Sequence, residues 1–134
     1  MSYRSDVRIL VNKEGLEVLE QKTIEYAKQY YEANENETWA KIFCKESIMN
    51  EWNIIESSYP NEIILEQSDV KWDTDYEDIK WIIKALDDLS KNHLPYQVME
   101  LGEDDEVHED NNFYLFEEKP LQTYMYTTKI FKFC

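Results

Sequence analysis

The stretch from Gly102 to Asn112, GEDDEVHEDNN, concentrates groups that could bind a cation or a basic protein. It holds six carboxylates and one histidine in eleven residues, with no lysine or arginine. Carboxylate oxygens suit Ca²⁺ and Mg²⁺, and a dense acidic surface also attracts the basic grooves that bind nucleic acids. A solvated surface loop has a similar composition. The rest of the chain must distinguish these three interpretations.

Neither acidic segment of the chain matches a calcium loop of the EF-hand type. Such a loop requires a glutamate at its twelfth position. A loop that begins at Asp73 has Lys84 there, and one that begins at Asp104 has Leu115. A looser cation site remains an alternative, but no metal or other cofactor is predicted.

No sequence motif supports an enzyme. Asp69-Val70-Lys71 has the form of the (D/E)xK end of a nuclease site, but the upstream aspartate of such a site is missing. The chain contains no GxSxG, HExxH, GxxxxGK[ST] or GxGxxG, and its two histidines are isolated in sequence. We therefore predict that the protein is not an enzyme.

The negative charge of the chain is concentrated in its second half. The 29 acidic and 14 basic residues give a formal net charge of −15. Residues 69–118 contain 16 acids and four lysines, whereas residues 119–134 contain three lysines and no acid. Solubility does not require such an uneven distribution, and a chain of this charge repels nucleic acids. We expect a basic protein as partner and no direct contact with nucleic acid.

Length and composition predict one folded domain over residues 1–134. Hydrophobic residues make up 43% of the chain, enough to offset the conformational entropy lost on folding. No apolar run approaches the roughly 18 residues that span a bilayer, and MSYRSDVRIL lacks the pattern of a secretory signal. The two cysteines form no CxxC pair. We expect a cytoplasmic protein without membrane contact.

Hydrophobic periodicity predicts a first strand and a first helix. Residues 5–12 alternate apolar and polar side chains, as a strand with one buried face does. Asn12 is a suitable N-cap for a helix that ends at NENE, residues 34–37. A short helix follows, in which Trp39 and Phe43 are predicted to lie in the core.

A hairpin, a second helix and further strands complete the predicted order. Thr74 and Glu77 have the S/T-x-x-E spacing of a capping box, ahead of an apolar stripe that runs to about Asn92. The predicted strands after the first cover residues 52–57, 62–72, 96–101, 113–118 and 123–133.

This order of elements is typical of an α+β protein. We predict a ferredoxin-like βαββαβ core, an antiparallel sheet with both helices on one face. The last two predicted strands form a C-terminal hairpin beyond that core.

Acidic residues fall on segments that this fold could bring to one side. They lie on the second helix, opposite its apolar stripe, and continue in GEDDEVHEDNN. The residues predicted to bind a partner are Asp75, Asp78, Asp87, Asp88, Glu103, Asp104, Asp105 and Glu106. Aromatic residues near them in sequence, of the kind that often anchor protein interfaces, are Trp72, Trp81, Tyr96 and Tyr114.

Three segments resemble a set of short acidic proteins encoded in phages and prophages of bacteria: YRSDVRI (3–9), DVKWDTDYEDIKWI (69–82) and YQVMELGEDDEVHED (96–110). In that set a WxxxYxD(I/V)xxI helix precedes a strand and a GED-type acidic segment, whereas residues 31–60 of this chain depart from the pattern. The resemblance implies a phage context and the cytoplasm of a bacterial host, but no catalytic residues. Small, strongly acidic phage proteins include DNA-mimicking anti-restriction and anti-CRISPR inhibitors.

The predicted function is therefore that of a phage-encoded acidic inhibitor. It would bind the basic groove of a host nuclease or other nucleic-acid-targeting defence protein stoichiometrically, by nucleic-acid mimicry and without a cofactor. An immunity protein that neutralises a basic toxin needs the same charge and is the main alternative. A cation-binding phage accessory protein is another, and an acidic surface that serves only solubility remains open as well.

Overall fold

The computed structural model describes residues 4–102 and 106–125 of the chain. In these ranges the strands and α-helices are β1 (Ser5–Asn12), α1 (Lys13–Ala33), β2 (Asn53–Glu56), β3 (Glu62–Val70), α2 (Glu77–Lys91), β4 (Tyr96–Gly102) and β5 (Val107–Asn111). Short 3₁₀ helices span Thr38–Cys44, Ile48–Glu51 and Phe113–Leu115. The predicted α+β class is confirmed.

The five strands form one open antiparallel sheet in the order β2-β3-β1-β4-β5. β1 is central: Ile9 faces Leu65 of β3 on one side and Val98 of β4 on the other. α1 leads from β1 to β2, and α2 leads from β3 to β4. Each helix therefore connects two strands that have one other strand between them.

The alternation of side chains along β1 supplies both faces of the sheet. Val7, Ile9 and Val11 are fully buried and form the main core with apolar residues of α1 and α2. Leu10 belongs to a second cluster on the opposite face. The prediction of a strand over residues 5–12 is confirmed.

Asn12 ends β1 and caps α1, as predicted. Its Oδ1 accepts a hydrogen bond from the Gly15 N–H at 2.7 Å, which satisfies one of the free donors of the first helical turn. A Cβ at Gly15 would lie 3.2 Å from both Leu89 of α2 and Val11 of β1. Glycine thus lets the start of α1 pack closely against the sheet and α2. The helix ends at Ala33, directly before NENE.

α2 begins later than a capping box would place it. Glu77 is its first residue, and Tyr76 at the N-cap position makes no side-chain capping bond. Asp73 Oδ1 instead accepts from the Asp75 N–H at 2.9 Å, a local bond typical of an aspartate turn. The predicted capping role of Thr74 is therefore wrong.

The segment after β5 covers the sheet face opposite the helices. Leu121 and Met125 pack there against Leu10, Ile64 and Met99. The antiparallel sheet is thus covered by helices on one face and, on the other, by residues 116–125, which contain no helix or strand.

The predicted C-terminal hairpin is wrong in the part that the structure describes. Residues 113–115 form a 3₁₀ helix, and residues 116–125 contain no strand. The additional strand is β5, which lies inside GEDDEVHEDNN and pairs with β4. Residues 126–133 of the second predicted strand lie outside the described residues.

Candidate partner-binding surface

Strand pairing brings two acidic segments to one end of the sheet. Ser5 at the start of β1 faces Val70 at the end of β3 and Gly102 at the end of β4. The connection from β3 to α2 and the connection from β4 to β5 therefore leave the same end of the sheet. We name this surface the acidic end; its described carboxylates belong to Asp6, Asp69, Asp73, Asp75, Asp78, Glu100 and Glu106.

Asp6 and Asp69 link two strands at the acidic end. The Asp69 backbone is left-handed, with φ of 59°, a conformation that aspartate tolerates better than most residues. Its N–H donates to Asp6 Oδ1 at 3.1 Å, and its carbonyl and carboxylate oxygens accept from the Arg4 guanidinium at 3.1 and 3.2 Å. The Asp69 side chain is nevertheless 72% exposed, so this carboxylate remains open to solvent.

Asp75 and Asp78 flank the start of α2. Asp75 is exposed, and Asp78 lies in the first turn, where a carboxylate interacts favourably with the positive end of the helix dipole. Asp78 also lines a cavity of about 280 Å³ with Trp52, Lys71 and Tyr76. The Lys71 ammonium lies 5.8 Å from the centre of the Tyr76 ring, so a basic side chain is present among these carboxylates.

Glu106 is the described part of the acidic segment between β4 and β5. It is exposed, its carbonyl oxygen accepts from the Gly102 N–H at 2.8 Å, and its carboxylate lies 3.7 Å from His108 Nε2. The backbone bond closes the connection between the strands. Three of the predicted partner-binding residues, Glu103, Asp104 and Asp105, lie outside the described residues.

The other two predicted partner-binding residues lie towards the opposite end of α2. Asp87 is exposed and its carboxylate lies 3.2 Å from the Lys91 ammonium. Asp88 is only 9% exposed, and its carboxylate accepts a hydrogen bond from the Tyr26 hydroxyl of α1. Asp88 therefore lies in the contact between the helices and not on the exposed face where the helical pattern put it.

Two further carboxylates, those of Asp110 and Asp87, lie near Tyr96. The Tyr96 hydroxyl donates to Asp110 Oδ2 at 2.9 Å. Burial, this hydrogen bond and the negative charges of Asp110 and Asp87 raise the pKa of Tyr96 above its ordinary value. Asp87 thus lies near β5 and away from the acidic end.

The predicted aromatic anchors differ in their exposure. Tyr114 is 80% exposed, whereas Trp81 and Tyr96 are buried. Trp72 is half-buried and packs edge-on against Trp52, with 6.0 Å between the ring centres. Tyr114 therefore has the most exposed ring of the four.

A groove between α1 and α2, beside the acidic end, is not predicted by the sequence pattern. Tyr26 and Tyr30 line one wall, and Glu77, Trp81 and Lys84 line the other. The sequence signal for this groove is the pair of aromatic residues four positions apart on α1, which hydrophobic periodicity alone assigns to the core. Their hydroxyls and the facing charges make this groove a second feature of the surface.

Within residues 4–102 and 106–125, no group of three or more histidine, cysteine, aspartate or glutamate side chains is placed to hold a metal ion. His93 packs against the Phe116 ring, with 4.4 Å between the ring centres. Cys44 carries a free thiol. No helix in the same ranges combines the length and the apolar character needed to cross a membrane.

No protein-family model, curated protein or solved structure matches this chain.

Proposed function

We propose that this protein is a phage- or prophage-encoded inhibitor that binds the basic groove of a host nucleic-acid-targeting defence protein. Binding is stoichiometric, takes place in the bacterial cytoplasm and uses no cofactor or catalytic residue. Carboxylates of the acidic end take the places of phosphates. The proposed surrogates are Asp75, Asp78 and Glu106, together with Glu103, Asp104 and Asp105 of the adjoining segment.

The common exit of two acidic segments from one end of the sheet is the observation that supports this proposal most. Backbone pairing of Ser5 with Val70 and with Gly102 fixes the points from which both segments leave. Carboxylates carried near rigid strands and a helix start lose less conformational freedom on binding than carboxylates on an unstructured chain. Asp88, which is buried against Tyr26, is excluded from the proposed surface.

Charge supplies the attraction and its specificity. A net charge of −15 on 134 residues creates a long-range field that steers basic proteins towards the acidic end. Proteins that bind nucleic acids carry grooves lined with lysine and arginine, because those side chains must neutralise phosphates. Such a groove therefore fits the acidic end, and added salt weakens the complex.

We further propose that the core is ferredoxin-like. The four strands β2-β3-β1-β4, with each helix connecting strands separated by one other strand, are consistent with a βαββαβ arrangement. β5 and residues 116–125 then extend this core at one edge and on the free face.

Capture from a bacterial lysate, followed by displacement with nucleic acid, tests the proposed inhibitor. The immobilised protein is exposed at low salt to a nuclease-treated lysate and eluted with duplex DNA or RNA. The test variant carries Asp73→Asn, Asp75→Asn, Asp78→Asn and Glu106→Gln. The control variant removes the same charge from exposed glutamates elsewhere, by Glu14→Gln, Glu17→Gln, Glu117→Gln and Glu118→Gln.

We expect the native chain and the control variant to retain a basic nucleic-acid-binding protein. The test variant should not retain this protein, and nucleic acid should displace it from the native chain. Equal retention by the test variant would remove the acidic end from the interface. A basic partner that nucleic acid fails to displace would favour the immunity-protein alternative over mimicry.

A further inference from the structure

The groove between α1 and α2 carries the residue types that hold a guanidinium group. Its volume is about 240 Å³, and it opens between Tyr26 and Tyr30 of α1 and Trp81 of α2. Both helices reach this groove with side chains three or four residues apart, which places them on one helix face. Glu77 lies at the α2 start, so the groove borders the acidic end.

Packing fixes the rings of this groove. Trp81 is buried and stacks on Trp39, with 5.5 Å between the ring centres and 19° between the planes. Tyr30 contacts both indoles, at 5.9 Å and 6.0 Å between ring centres. Trp39 is nevertheless 42% exposed, and its indole N–H donates to Glu37 Oε2 at 2.9 Å. The aromatic surface is thus oriented before any ligand arrives.

Two carboxylates lie beside this aromatic surface. Glu77 lines the groove directly. Burial and the negative charges of Glu37 and Glu77 raise the pKa of Tyr30, which places both carboxylates close enough to Tyr30 to affect its ionisation. A cation that enters the groove beside Tyr30 therefore meets negative charge from Glu77 and from Glu37.

The chain itself already places a cation on one ring of the groove. The Lys84 ammonium lies 5.6 Å from the centre of the Tyr26 ring, within the range of a cation–π contact. The Tyr26 face of this groove is thus accessible to a positive group. Lys84 covers Tyr26 and leaves Tyr30 and Glu77 for a second cation.

We propose that this groove receives an arginine side chain of the basic partner. The inference rests on the proposed function, because it names the residue type that anchors the same partner. Arginine fits better than lysine, since its planar guanidinium stacks on aromatic rings and donates two hydrogen bonds to one carboxylate. Tyr30 provides the stacking surface, and Glu77 accepts the hydrogen bonds.

Two peptides of equal charge test the inference without knowledge of the partner. Fluorescently labelled nona-arginine and nona-lysine are titrated with the native protein at one fixed salt concentration, and anisotropy gives each dissociation constant. We expect both peptides to bind, with nona-arginine tighter by roughly two- to fivefold, because only its guanidinium groups add planar stacking and paired hydrogen bonds to the charge attraction that both peptides share. Tyr30→Leu and Glu77→Gln should each remove that preference.

Glu17→Gln is the control, since it removes one charge from an exposed site near the opposite end of α1. It should keep the preference for arginine. Equal affinity of the native protein for both peptides would overturn the arginine site and leave the proposed function standing. A preference that survives in both groove variants would overturn it as well. Binding of neither peptide at low salt would overturn the proposed function and this inference together.

Discussion

The side-chain amide of Gln97 pairs with the backbone of Met125 as a neighbouring strand would. Its Nε2 donates to the Met125 carbonyl oxygen at 3.0 Å, and its Oε1 accepts from the Met125 N–H at 2.9 Å. Gln97 is fully buried, where an unpaired backbone group is costly. One side chain of β4 therefore fixes the segment that covers the free face of the sheet.

Gln97→Ala should lower the free energy of unfolding by about 2–6 kcal/mol. The substitution leaves the N–H and carbonyl of Met125 without these partners, and each buried unsatisfied group costs about 1–3 kcal/mol. Urea denaturation followed by circular dichroism measures the change. Gln122→Ala, at an exposed glutamine of the same segment, should change it by less than about 0.5 kcal/mol. Equal effects would contradict the role of the Gln97 amide.

Glu62 should control the protease resistance of the segment after β5. Its two carboxylate oxygens accept from the N–H groups of Gln122 and Thr123, each at 2.7 Å. Glu62→Gln keeps one oxygen acceptor but places an amide N–H against the other backbone N–H. One of the two hydrogen bonds is then lost, so we expect faster cleavage within residues 116–125. Limited proteolysis with mass spectrometry locates the cuts. Glu56→Gln, at an exposed strand residue, is the control, and an unchanged cleavage rate in Glu62→Gln would contradict the prediction.

The hydrogen bond from Tyr26 to Asp88 predicts a loss of stability in alkali. Burial and the Asp88 carboxylate raise the pKa of Tyr26 from 10.0 to about 12. Between these values the unfolded tyrosine has lost its proton and the folded one has kept it, so the unfolded state binds fewer protons and stability falls as pH rises. The contribution is complete below pH 10 and is lost by about pH 12.

Denaturant titrations at several pH values from 8 to 12 check this prediction. Tyr26→Phe should be less stable at pH 8, because the buried Asp88 carboxylate loses its donor, and should then lose less stability than the native protein as pH rises. Tyr59→Phe, at an exposed tyrosine, controls for removal of a hydroxyl. A native slope retained in Tyr26→Phe would assign the alkaline transition to another group.

Local sequence signals predict the elements whose ends are set by their own residues. In β1 every second residue, Val7, Ile9 and Val11, is apolar and meets the helices, and Asn12 caps α1 through a bond to a residue three positions away. The end of α2 near Asn92 is also confirmed. In each case the deciding interaction joins residues that are close together in the sequence.

Contacts distant in sequence decide the elements that were mispredicted. β5 is polar, and it is a strand because its backbone pairs with β4 and because Asn112 Oδ1 accepts from the Tyr96 N–H at 2.9 Å. The apolar residues from Phe113 onwards have the pattern of a strand, but Phe113–Leu115 form a 3₁₀ helix and do not pair with the sheet. A side-chain carboxylate at Glu62 then holds the following segment, which no periodicity reveals.

The sequence predicts the charge of the candidate surface well, but it predicts the positions of the surface residues only in part. Asp75 and Asp78 are placed by the start of α2, which the sequence pattern located within a few residues. Asp88 lies on the buried side of α2, because a carboxylate can be buried between two helices when a hydroxyl donates a hydrogen bond to it. Here the donor is the Tyr26 hydroxyl. Trp39 was predicted in the core and is half-exposed, because it stacks on Trp81 from outside.

Neutralising the acidic end should leave the fold intact and reduce its response to salt. Like charges on neighbouring carboxylates repel, and the repulsion is screened when the Debye length falls from about 30 Å at 0.01 M salt to about 3 Å at 1 M. The native protein should therefore gain roughly 1 kcal/mol more from that rise in salt than the variant with Asp73→Asn, Asp75→Asn, Asp78→Asn and Glu106→Gln. Urea denaturation at the two salt concentrations measures both gains. The control variant with four neutralised glutamates elsewhere has the same net charge. If it lost the same part of the salt response, the repulsion would be spread over the whole surface and not concentrated at the acidic end.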